Sequence, residues 1–118
     1  MNIKEFKKGQ SAYMLAENRG YNRQPEVKEV AVLSVGRKFV TVNRDIRFED
    51  FLADDNFLTE HVDYGDRRLL FKDKKAVADH LERMELDIWL CKNESKMHRL
   101  SLRQLRSIKK IVEEPEQA

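Results

Sequence analysis

Apolar residues along this chain change their period once, close to residue 72, and the change divides it into a strand-forming and a helix-forming segment. Val27, Val30, Val32, Leu33 and Val35 are mostly β-branched, and Phe39, Val40, Thr41 and Val42 resume the run after Gly36-Arg37. β-branched and aromatic runs bounded by turn residues predict strands. Glycine at the first central position of a two-residue loop predicts a type II′ hairpin at Gly36-Arg37. Before it, Lys7-Lys8-Gly9-Gln10 reads as a turn and residues 11–17 as a strand, followed by an exposed, turn-rich loop over residues 18–25. After it, Ile46 and Phe48 alternate, as do Phe57 and Thr59. Asp54-Asp55-Asn56 and Tyr64-Gly65-Asp66 read as turns, and residues 68–71 as a last short strand. Five or six short strands joined by turns predict a small barrel or a strongly bent sheet.

From Asp73 onward the period is helical. Asp73 is placed to cap a helix starting at Lys74. Val77, Leu81, Met84, Ile88 and Cys91 recur at four, three, four and three residues, which is one helical face. Leu86, Trp89 and Leu90 add apolar surface on other sides, so the end of this helix calls for more than one neighbour. Residues 92–96 form a polar break. A second helix is expected from about Ser101 to about Glu113, with Leu102, Leu105, Ile108 and Val112 as its apolar side and Pro115 forbidding continuation. The fold class read from this pattern is α+β: a small, SH3-like antiparallel β-barrel followed by two C-terminal α-helices. No linker separates the parts, so the chain reads as one domain, with a barrel over about residues 6–72 and a helical part over about 73–114. The expected core includes Val30, Val32, Phe39, Val40, Leu70, Leu81, Ile88 and Leu105.

Composition narrows the class. The chain has 118 residues, 41% hydrophobic and 37% charged, too apolar for a disordered chain. A formal net charge of +2 hides a strong segregation. Residues 1–42 carry eight Lys/Arg against four Asp/Glu, residues 43–66 two against eight, and residues 92–112 seven against one. Such sorting predicts one positive and one negative surface pole. One cysteine, Cys91, excludes an intramolecular disulfide framework and fits a reducing compartment. The first ten residues are charged and lack the apolar stretch of a signal peptide, and no apolar run is long enough to span a membrane, so a cytoplasmic location is expected.

The candidate chemistry follows from these charges. Arg99, Arg103, Arg106 and Lys110 recur at four, three and four, which on a helix makes a cationic stripe facing away from Leu102, Leu105 and Ile108. A line of cations suits a nucleic-acid backbone or an acidic protein surface. It also suits the solvated face that any short amphipathic helix needs. Tyr21, in a loop after Gly20 and beside Arg19 and Arg23, is the best exposed aromatic for stacking, with Arg23 as a second cation. Tyr13 reads as core and Tyr64 as a further aromatic candidate. The carboxylates of residues 45–66 do not follow the alternation of a calcium loop. His61, His80 and His98 lie on separate elements from one another, without the short spacings of a zinc site, so no metal is expected. Nucleophilic catalysis is not signalled either. Ser34 adjoins a hairpin turn rather than a strand-to-helix elbow, Cys91 lies on an apolar helix face, and the four glycines are isolated. The chain therefore reads as no enzyme and without cofactor.

Two stretches carry a resemblance. Phe6-Lys7-Lys8-Gly9-Gln10 before a strand, with the hairpin Val32-Leu33-Ser34-Val35-Gly36-Arg37-Lys38-Phe39-Val40-Thr41-Val42, and the closing segment from Leu100 to Ile111, resemble small phage, prophage and gut-bacterial SH3-like β-barrel proteins with a helical C-terminus. The resemblance covers both ends of the chain and not residues 45–67. It implies an SH3-like barrel followed by helices and brings no site residue with it. The glycine pattern of KOW-type RNA-binding barrels is absent. The functional expectation is a non-catalytic binding module, a mobile-element accessory protein contacting nucleic acid through its basic C-terminal helix. The alternatives are a protein–protein interaction module acting on a host protein and a homo-oligomer joined through the helical segment.

Overall fold

The computed structural model describes residues 1–17, 24–52 and 54–114. It divides into two compact units, Met1–His80 and Leu81–Ala118.

The first unit is a closed antiparallel barrel of six strands: β1 (Ser11–Ala16), β2 (Glu26–Val35), β3 (Val40–Val42), β4 (Ile46–Glu49), β5 (Leu58–Glu60) and β6 (Leu69–Phe71). Each strand pairs with the next, and β6 returns to β1 through Tyr13–Phe71, Met14–Leu70 and Leu15–Leu69. Closure removes the free edges that an open sheet of such short strands would leave. Alternation then decides what lies inside. Ala12, Met14, Val30, Val32, Val40, Val42, Phe48, Leu58 and Leu70 form one buried cluster, joined by Met1, Ile3 and Phe6 from the N-terminal segment. That segment is a single 3₁₀ turn, Ile3–Glu5, held by a reciprocal capping box between Asn2 and Glu5.

The opposite side of the same strands builds a second, smaller core. Leu15, Leu69, Phe71 and Val77 are buried but do not belong to the inner cluster. The aromatic rings of Phe57 and His80 lie 5.6 and 5.2 Å from Phe71. Val77 and His80 come from the start of α1 (Lys74–Lys92), whose first turn is fixed as expected: Asp73 Oδ1 accepts from the Ala76 N–H at 2.8 Å. His80 Nε2 also lies 3.3 Å from Glu17 Oε1. The opening helical turns thus close over the outside of the barrel.

Local chemistry explains the connections. Gly9 (φ 90°) and Gly65 (φ 95°) occupy the left-handed region in the turns expected there. Asn43 (φ 45°) and Asp45 (φ 60°) do so in the three-residue turn between β3 and β4, where side chains of this kind tolerate that conformation best. The hairpin at Gly36 exists, but its expected form is corrected. Val35 pairs with Val40, leaving a four-residue loop closed by the Gly36 N–H donating to the Phe39 carbonyl at 2.9 Å, and Gly36 does not have the positive φ of a type II′ turn. A register shift at Leu33 makes a bulge in β2, which absorbs the odd residue.

The second unit holds the rest of α1, a single-turn helix α2 (Glu94–Met97) inside the polar break, and α3 (Leu102–Glu113). Here part of the expected core is corrected. Val30, Val32, Val40 and Leu70 are buried, whereas Ile88 (51%) and Leu105 (41%) are exposed and Phe39 is half-buried. Cys91 is exposed as well. Among the described residues, no helix is long and apolar enough to cross a membrane.

Candidate nucleic-acid interface

Ser101 positions the cationic helix. It is the N-cap of α3: its hydroxyl oxygen accepts from the Gln104 N–H at 3.2 Å, and Gln104 Oε1 accepts from the Ser101 N–H at 3.0 Å. Since no residue of α3 is buried, the cap supplies a large share of what keeps this helix wound. Ser101→Ala is expected to cost about 1 kcal/mol and to reduce helical content, read as a loss of far-ultraviolet ellipticity at 222 nm.

Arg103, Arg106 and Lys110 lie on α3 within about 60° of arc at 100° per residue, on the side away from Leu105, Ile108 and Val112. All three are exposed. Arg99 is exposed too, but it lies in the turn between α2 and α3 and not on the helix, so the stripe of four is three helical cations and one from the preceding turn. Among the described residues no ion pair engages Arg99, Arg103 or Arg106. Lys110 lies 3.9 Å from Glu114, and its neighbour Lys109 the same distance from Glu113. These are exposed i,i+4 pairs, worth a few tenths of a kcal/mol, and a polyanion displaces such contacts readily. Beside the stripe, a shallow concavity of about 710 Å³ is lined by Leu100, Ser101, Arg103, Gln104, Ser107 and Ile108. Tyr21 and Arg23 lie outside the described residues. Tyr64 is 90% exposed in its turn.

A second group of polar residues was not legible as a site. On the outer face of the barrel, Phe39 is half-buried with the Arg47 guanidinium 4.9 Å from its ring centroid, Lys38 Nζ at 5.3 Å and the His61 ring at 4.9 Å. His61 Nδ1 contacts the buried Glu49 carboxylate. His61 follows the end of β5 rather than continuing it. A third polar pair is structural. Arg68 donates to both oxygens of Glu60 at 2.8 and 2.7 Å, on the side of β5 that Leu58 turns inward. The Arg68 guanidinium holds the Glu60 carboxyl below its ordinary range, outweighing burial, and Glu60 raises Arg68 in return. Among the described residues no group of three or more His, Cys, Asp or Glu is placed to hold a metal ion.

A family model, the phage ProQ C-terminal-like domain, matches residues 1–115. The chain belongs to this family. No curated protein and no solved structure matches it significantly. Membership spans the barrel and the helices alike, so both units of this phage ProQ C-terminal-like protein are family features and the helical segment is no chance extension. It also agrees with the phage side of the resemblance seen at both ends of the sequence.

Proposed function

We propose that this phage ProQ C-terminal-like protein is a non-catalytic, cytoplasmic nucleic-acid-binding accessory module of a mobile element. In this reading its barrel is of the SH3-like kind, and Arg99, Arg103, Arg106 and Lys110 lie against phosphates. Tyr21 and Arg23 are secondary contacts. One observation carries the reading: α3 exposes Arg103, Arg106 and Lys110 on one side and the turn before it exposes Arg99, and of these four only Lys110 is paired with a carboxylate among the described residues. Arginine forks suit phosphate oxygens, and a helix holds them at regular intervals along its length. Because the cations are exposed, affinity is expected to be electrostatic and not base-specific.

The test is a gel-shift titration at low salt with mixed-sequence DNA and RNA. The wild-type chain is expected to retard one or both. A variant with Arg99, Arg103, Arg106 and Lys110 all changed to alanine is expected to bind roughly tenfold to a hundredfold more weakly. A control changing Lys72 and Lys75, which belong to the first unit and not to the α3 stripe, should bind as the wild type does. No retardation at low salt, or an unaffected quadruple variant, ends the proposal.

A second reading has its own observation. Leu86 (54%), Trp89 (56%) and Leu90 (47%) are exposed on the side of α1 opposite the Val77, Leu81 and Met84 stripe. An uncovered apolar patch of this kind supports a protein partner or a second copy of the chain. Affinity purification from the native cell separates the two: a protein retained after nuclease treatment favours this reading, and loss of all partners favours nucleic acid.

A further inference from the structure

The cluster around Phe39 combines three features that the barrel itself does not require. First, its cations are unspent. Arg37, Lys38 and Arg47 are exposed, and no carboxylate pairs with any of them among the described residues. Of the acids that line the groove beside Arg37 and Lys38, Glu49 contacts His61 and Asp50 lies 3.3 Å from the Met1 ammonium, while Asp55 is exposed. Second, one cation already lies over a ring. The Arg47 guanidinium lies 4.9 Å from the Phe39 centroid, and the tilted His61 ring packs on Phe39 with its centroid also 4.9 Å away. An exposed guanidinium held over an aromatic ring is a planar cation on which another π-system can stack. Third, the group stands on rigid backbone. Arg47 sits within β4, paired with Thr41, and its carbonyl accepts from the His61 N–H at 2.8 Å. Arg37 and Lys38 sit in the closed hairpin loop and line the basic side of an open groove whose other side carries Glu49, Asp50 and Asp55.

We propose that this outer face of the barrel is a base-stacking site for single-stranded nucleic acid, in which an unstacked base lies on Arg47 over Phe39 while Arg37 and Lys38 hold the adjoining phosphates. Strand separation is essential to the idea. In a duplex the base faces are covered by their neighbours, so only a single strand offers one to Arg47. The proposal shares its ligand class with the α3 reading but uses different residues, so each can fail without the other.

The experiment is fluorescence anisotropy on the full chain with a labelled ten-nucleotide oligouridine and, separately, a labelled duplex. Arg47→Ala and Phe39→Leu are each expected to weaken binding of the single strand by about tenfold, the effect of losing one stacked base, and to change duplex binding less than twofold. Arg47→Lys should not restore the loss, since an ammonium offers charge without a plane. Arg47 is exposed, so its variants keep the test valid even where Phe39→Leu perturbs folding. Single-strand binding by Arg47→Ala within twofold of wild type would overturn the proposal. So would equal losses on both ligands, which would make Arg47 an ordinary phosphate contact, and so would absence of oligouridine binding by the wild type. Running the α3 quadruple variant alongside separates the two sites. A loss confined to that variant defeats only the barrel site, and a loss confined to the Arg47 variants defeats only the α3 reading.

Discussion

Phe48→Ala is expected to destabilise the barrel by about 3–5 kcal/mol. Phe48 is fully buried and sits at the centre of the closed sheet, paired with Val40 on β3 and with Glu60 on β5. Truncation removes its transfer energy and leaves a cavity among Val40, Leu58 and Leu70, whose short strands are locked by closure and relax little. Small domains have roughly 5–15 kcal/mol in total, so the loss takes a large part of the margin. Urea denaturation followed by circular dichroism measures it. Trp89 belongs to the helical unit and is half-exposed, so its fluorescence is the wrong probe for the barrel. A change under about 1 kcal/mol would mean that Phe48 is not the centre of a tight core.

Arg68→Ala is expected to cost roughly 2–3 kcal/mol at neutral pH, less than a deeply buried pair because the Arg68 side chain is 35% exposed. The change strips Glu60 of both guanidinium bonds and leaves it one, from the Arg68 backbone N–H at 3.2 Å. The Glu60 side chain is only 12% exposed, so water replaces the lost bonds poorly. The sign of the pH dependence follows from the direction of the shift. Glu60 titrates lower in the folded protein than its ordinary 4.5, so its stabilisation is full above that value and disappears as pH falls through the folded value. The gap between wild type and Arg68→Ala should therefore be widest near neutrality and narrow in acid. Changing both residues to leucine should recover much of the loss, because no unpaired charge then remains. Denaturation midpoints at pH 7 and pH 3 check both statements, and a gap independent of pH would contradict them.

Much of the barrel was legible because its signals are local. Valine-rich alternation marks β2 and β3, Asp73 and Ser101 cap the helices they precede, and Gly9 and Gly65 supply positive φ where turns were expected. What failed was inference about cover. The periodicity of Ile88 and Leu105 shows that a helix has an apolar side, not that anything lies on it, and both are exposed. Phe39 shows a stricter error. It cannot share the barrel interior with Val40, because successive strand residues point to opposite faces. Taking Val40 and Val42 as inward leaves Phe39 and Thr41 outward, which would have brought Phe39 together with Arg37 and Lys38 as a surface group. Arg47 and His61 reach that group only through pairing of β3, β4 and β5, and register between separate strands is not written in any local pattern. The second core on the barrel's outside, with Phe71 against His80, was hidden for the same reason.

The claim that the α3 cations meet a phosphate backbone is tested most directly by the salt dependence of duplex binding. Each neutralised phosphate contributes about −0.9 to the slope of log affinity against log salt. The wild-type slope is predicted to be steeper than that of the quadruple alanine variant by roughly three to four such contributions. Equal slopes for the two proteins would contradict the account.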